Sequence, residues 1–184
     1  MSDIDRNRIL IIGMGNVLMQ DEGVGVRAAE ELENRFHIPE GVTVMDGGTT
    51  GMELFEPMRN CDSLIVADAV NASVPPGSLV RIANEEIRAF FQTKISNHQL
   101  GLSDLLALLT LKGEVPRHIA IIGMVPHSLE NRLGLTEEAT AGLADMVEML
   151  QAELAGLGVR LTPRDRATTG HWQRQAELEQ MACA

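Results

Sequence analysis

A chain of 184 residues suits a single domain of ordinary size. Its 26 acidic against 15 basic side chains leave a formal charge of −11, which argues against nucleic acid and anionic membrane surfaces, both of which are held by cationic side chains. Hydrophobic residues make up 45% of the chain, enough for a buried core, whereas four Phe, one Trp and no Tyr argue against a platform of stacked rings, and ten Met take up part of the packing.

The remaining exclusions come from cysteines and apolar runs. Cys61 and Cys183 are too far apart for a zinc knuckle and too few for a disulfide framework. Residues 1–6 lack the basic stretch and apolar core of a signal peptide. The most apolar segments, 100–111 and 119–125, fall short of the roughly 20 residues of a membrane span. The expectation is a soluble cytoplasmic domain.

In chain order, the aliphatic run Arg8–Ile12 ending at Gly13 predicts a buried strand. Val24, Ala28, Leu32 and Phe36 then recur every four residues as one helical stripe. Val42–Met45 predicts a second strand closed by Asp46-Gly47-Gly48, and Thr50-x-x-Glu53 reads as a capping box for a helix through about Arg59. Leu64–Ala67 is a third strand stopped by Asp68. Pro75-Pro76-Gly77 turns the chain into a short strand at Leu79–Ile82.

Short helices are expected at Glu85–Phe91 and Gly101–Leu111, and a strand at Ile119–Met124. The longest helix runs from Leu135 to about Leu157, capped by Thr136 or a neighbour, with Val159–Leu161 as an edge strand. Strands alternating with helices predict a three-layer αβα sandwich around a mostly parallel sheet of about five strands, spanning residues 1–165. Residues 166–184 are polar, and His171–Ala182 reads as a marginal helix or a mobile tail.

Ligands of open parallel sheets bind beyond the carboxyl ends of the strands, which selects the loops 13–25, 46–51 and 68–71. Gly13-x-Gly15 tempts a dinucleotide reading, but Leu18 stands where the third glycine belongs, and the Asp21-Glu22 pair would repel a pyrophosphate. Asp21 reads as a cap of the following helix. Glu22 is flanked by Gly23 and Gly25, which would leave its carboxylate accessible. Asp68 ends a strand buried on both faces, where a carboxylate must be hydrogen-bonded, paired or metal-bound; capping of its loop is the structural alternative. His98 lies in a loop leading into the Gly101 helix, and taken alone it reads as a capping or surface histidine. His127 is a lesser candidate. No His-Glu-x-x-His, Gly-x-Ser-x-Gly or Cys-x-x-Cys is present.

Four motifs in order resemble one family: Gly13-x-Gly15-Asn16-x-Leu18-x-x-Asp21-Glu22-x-x-Gly25, Asp46-Gly47-Gly48-Thr49, Ala67-Asp68-Ala69 and Ser96-x-His98-Gln99-x-Gly101. It is the hydrogenase maturation endopeptidases, and the resemblance runs from about Ile9 to Asp165. It implies an endopeptidase, of aspartic or metal-dependent type, that removes a C-terminal extension from the nickel-loaded large-subunit precursor of a nickel–iron hydrogenase. The family's nickel-engaging residues fall on Glu22, Asp68 and His98, all matching in type. Asp46, Gly47, Gly48 and Thr49 are the implied peptide contacts, with a strand-ending turn as their structural alternative. The implied partner is that precursor, and the implied metal is its own nickel rather than a resident cofactor; no nucleotide cofactor is expected.

The donor set is chemically coherent. Two carboxylates and one imidazole leave coordination positions open for substrate or water. Such N/O ligands do not select nickel over other divalent ions, so nickel identity would come from the precursor. The rival readings are a non-catalytic nickel-loading checkpoint and a nucleotide-dependent enzyme built on the Gly13–Gly15 loop; a peptidase of the spore-germination type is a weaker third.

Overall fold

The structure is a computed structural model that describes residues 8–49, 51–87, 89 and 97–182, with residues 97–100 described by their backbone alone. Five strands form the central sheet: β1 (Ile9–Met14), β3 (Val42–Gly48), β4 (Ser63–Ala69), β5 (Leu79–Ala83) and β6 (His118–Met124). Their spatial order is β3-β1-β4-β6-β5, parallel except for β5, which runs antiparallel to β6. The helices are α1 (Val24–Arg35), α2 (Phe55–Arg59), α3 (Asn97–Lys112), α4 (Glu137–Gly156) and α5 (His171–Ala182). A two-residue antiparallel clasp, β2 (Phe36–His37) with β7 (Thr162–Pro163), fastens the end of α1 to the segment after α4.

Strand pleating divides the core into two layers. Ile9 and Ile11 of β1, with Ile65 and Ala67 of β4, face α1 and α4, where Val24, Ala28, Leu32, Val147 and Leu150 pack on them. Leu10, Ile12 and Met14, with Leu64 and Val66, face α2 and α3, meeting Met58, Leu102, Leu105 and Leu109. β1 and β4 are buried along their whole length, as parallel strands covered on both faces must be. The expected three-layer α/β architecture with a mostly parallel five-stranded sheet is the architecture observed.

Several boundaries differ from the sequence pattern, each for a physical reason. β3 continues through Gly48, because a register shift at Gly13/Met14 leaves Gly47 as an extra residue between the pairs Gly13–Asp46 and Met14–Gly48. Phe36, fourth in the helical stripe, is extended and lies in the clasp instead. Val159–Leu161 does not form the edge strand; the pairing falls on Thr162–Pro163. A 3₁₀ turn from Met52 to Leu54 precedes α2, with Gly51 at its N-cap position and no side-chain cap, while Thr50 of the expected capping box lies outside the described residues. Of the helix expected at Glu85–Phe91, residues 85–87 and 89 are helical and the rest lies outside the described residues. α3 starts at Asn97, so the backbone of His98 is in its first turn rather than in a preceding loop. Thr136 caps α4 as expected, its side chain accepting from Ala139 N at 3.1 Å. Beyond Asp165 the polar segment forms α5, held by its first turn against α1.

Away from the carboxyl ends of the strands, Glu153 of α4 is 7% exposed. Its carboxylate accepts from Arg81 Nε and Nη2 at 2.6 and 3.0 Å and pairs with His118 Nε2 at 2.7 Å. Burial alone would raise its pKa, but the Arg81 and His118 hydrogen bonds outweigh burial and hold it below the ordinary glutamate value. A depressed folded-state pKa contributes stability above the unfolded value, lost as pH falls through the folded one. Arg81→Met should therefore cost about 1–2 kcal/mol at neutral pH, a figure reduced for the half-exposed arginine. Urea titrations should show wild type and variant converging as the pH falls below roughly 4, the ordinary carboxylate range; a pH-independent gap would contradict the assignment.

Candidate functional site

The carboxyl ends of β1 and β4 lie side by side, yet their chains leave toward opposite faces. β1 leads to α1 on one layer, and the segment after β4 leads through β5 to α3 on the other. Such a divergence opens a crevice at the sheet's end. Glu22 sits on the β1 side, in a 3₁₀ turn spanning Gln20–Gly23, and Asp68 is the penultimate residue of β4.

Glycines set how closely these segments approach. A side chain at Gly15, where φ is +121°, would overlap the carbonyl of Glu22. One at Gly25 would overlap the carbonyl of Ala67, the residue before Asp68. The first turn of α1 thus rests directly on the end of β4. Gly23 and Gly25 are buried against backbone, so they seat the turn rather than open space around Glu22. Gly15 thus packs on the Glu22 turn and Gly13 on α1, at Gly25, Val26 and Ala29, roles that the dinucleotide reading does not require.

Asp21 is fully buried, with 0% exposure, and it does not cap α1 as expected. It reaches across to the segment between β6 and α4. Its Oδ2 accepts from the backbone of His127 and Ser128 at 3.0 and 3.2 Å, and its Oδ1 from Thr136 N at 2.8 Å. The Thr136 hydroxyl adds contacts at 3.0 and 2.8 Å to the two oxygens. Glu22 is half-buried beside it, so the adjacent carboxylates differ in surroundings: Asp21 anchors the turn from the interior and Glu22 keeps partial access to solvent.

Asp68 is 3% exposed and pairs in register with Gly123 of β6. Pleating sets it on the same face as Leu64 and Val66, the layer covered by α3. His98 begins α3 one turn before Leu102, which is buried in that layer; its side chain lies outside the described residues. Among the described residues, no three His, Cys, Asp or Glu side chains form a metal-holding group.

Asp46, Gly47, Gly48 and Thr49 lie at the end of β3, on the far side of β1 from Asp68. Asp46 is exposed; its Oδ1 accepts from Gly48 N at 2.9 Å and its Oδ2 from the indole N–H of Trp172 at 2.8 Å. Trp172 was absent from the sequence-derived candidates because nothing local links it to Asp46, 126 residues away. His127 contributes its backbone to Asp21, and its ring lies over Gly77. Cys61 is no nucleophile: it is buried, its thiol donates to Met58 O at 3.1 Å, and burial with the neighbouring Asp62 pushes its pKa up to about 11.

The hydrogenase maturation protease family, HycI, matches residues 26–153. The hydrogenase 2 maturation protease of Escherichia coli K12 is 45% identical over 159 residues, covering 86% of this chain and 97% of that protein. The structure of the E. coli hydrogenase maturating endopeptidase HybD superposes with a TM-score of 0.82 at 45% identity, over 85% of this chain and 98% of the other. The maturation protease HybD of Thermococcus kodakarensis gives 0.67 at 29% identity, over 79% and 98%.

Asp21→Ala would strand three backbone amides and remove the anchor of the Glu22 turn. A loss of about 3–5 kcal/mol is expected, read as a fall in Tm of roughly 10 °C. An unchanged melting curve would refute the anchoring role.

Proposed function

The chain belongs to the hydrogenase maturation protease family and is a peptidase, and we propose that it removes the C-terminal extension of a nickel-loaded hydrogenase large-subunit precursor. Glu22, Asp68 and His98 engage the precursor's nickel in this reading. The observation that carries it is the placement of a 3%-exposed carboxylate, Asp68, where β1 and β4 diverge, with the Glu22 turn seated on the same strand end. Two carboxylates brought to one strand end supply oxygen donors of the kind that divalent cations take. The third donor, His98, lies in the first turn of α3, the helix of the layer that Asp68 faces.

Asp46 and the Gly47-Gly48-Thr49 segment contact the peptide flanking the metal. The donor set accepts several divalent ions, so the precursor's own nickel supplies the identity of the metal. Cleavage thereby reports whether metal insertion is complete, and the site works in the cytoplasm, where the precursor is assembled.

Mass spectrometry of a nickel-loaded precursor incubated with this protein should show a small C-terminal mass loss, and nickel-free precursor should stay intact. Glu22→Gln, Asp68→Asn and His98→Ala should each slow processing about 100-fold or more. Equal cleavage of loaded and nickel-free precursor would remove the nickel reading and leave the peptidase. A stable complex with loaded precursor and no mass loss would instead favour a loading checkpoint.

A further inference from the structure

Helix α5 lies beyond the family match, which ends at residue 153, yet it bears directly on the site. The backbone N–H groups of Trp172 and Gln173 donate to the two oxygens of Glu30 on α1, at 2.7 and 3.2 Å, so a carboxylate from another helix caps α5. Arg27 steadies Glu30 at 3.1 Å. Upstream, Thr168 Oγ1 donates to Asn34 Oδ1 at 2.9 Å, and Arg164 Nε donates to the carbonyls of Glu33 and Phe36. Further along, Ala176 is buried beside Gly134, in the segment that Asp21 anchors.

This docking puts Trp172 in a seam with Val17, Gln20 and Gly23, around a void of only about 10 Å³. Those residues carry the turn that holds Glu22. From the same place the Trp172 indole reaches Asp46 Oδ2 at 2.8 Å. On the outer side, a cleft of about 440 Å³ between α1 and α5 is lined by Asp46, Glu30, His171, Trp172 and Arg174. Trp172 therefore spans two of the implied substrate-facing segments, packing on one and hydrogen-bonding to the other.

We propose that Trp172 is a positioning residue for Asp46, and that α5 forms the wall of the precursor-binding cleft on that side. The proposal rests on the reading of Asp46 as a peptide contact. A carboxylate has about four acceptor positions; Gly48 N and the Trp172 indole occupy one on each oxygen. Asp46 remains exposed, so its other lone pairs are open to an N–H group of an extended peptide. The indole fixes the rotamer in which that peptide meets it. Loss of the indole N–H should weaken precursor binding and leave bond cleavage untouched, since Asp46 stands across β1 from Asp68.

The test compares wild type, Trp172→Phe and Asp46→Asn in steady-state processing of nickel-loaded precursor. Trp172→Phe keeps a ring in the seam and should raise KM about 5-fold or more, with kcat within 2-fold and Tm unchanged. Because the chain has one Trp, ¹⁵N-labelled protein shows a single indole resonance. That resonance should shift in Asp46→Asn and move when unlabelled precursor is added. Unchanged KM, or a fall in kcat and Tm together, would overturn the positioning role, as would an indole resonance indifferent to Asp46→Asn. Failure of wild type to cut any precursor would sink the peptidase reading instead. In that case the indole resonance still decides the proposal: movement on adding precursor supports it, and none overturns it.

Discussion

A carboxylate with no solvent contact ties the turn after β1 to the start of the longest helix. Asp21 leaves water at considerable cost, and the cost is offset because three backbone amides and a hydroxyl converge on its two oxygens. The amides belong to the segment joining β6 to α4, so one side chain connects the turn after β1 to the start of the longest helix. Thr136 acts at both ends of that link, donating to Asp21 while its oxygen caps α4. The position of Glu22, one residue along, is thereby set by contacts made elsewhere. Two adjacent acidic residues in one turn have different surroundings, and only the second reaches solvent.

The layered architecture was legible because aliphatic runs bounded by glycine and acid are what buried parallel strands require, and β1, β4 and β6 follow that pattern closely. The placement of Glu22 and Asp68 was legible for a related reason: loops beyond parallel strands diverge where strand order reverses, and these two residues lie at the ends of the strands that flank the reversal. What could not be read was contact between residues distant in the chain. Asp21 has the composition and position of a helix cap, and only the folded arrangement brings His127, Ser128 and Thr136 to it. The glycines around Glu22 suggested open space, whereas the fold uses them to bring backbone against backbone.

The C-terminal segment shows the same limit from the other direction. Its sequence has little apolar periodicity, and among the described residues of α5 only Ala176 is buried. Hydrophobic pattern is the main signal of a docked helix, so a helix attached by polar groups gives almost none. Glu30, paired with Arg27 on its own helix, and Asn34 hold the segment through Trp172 and Thr168, and each looks like an ordinary surface residue of an amphipathic helix when α1 is read alone.

The extra residue at Gly47 has a bearing on how copies of this chain meet one another. Among the described residues, β3 pairs on one side only and forms an edge of the sheet. A flat edge strand offers an evenly spaced row of backbone donors and acceptors on which a foreign strand can grow. The bulge interrupts that row near the end of β3, and the charge of Asp46 stands beside the interruption. The irregularity therefore also makes this edge a poor template for fibrous self-association, because a second copy of the chain would meet an uneven row of donors and acceptors.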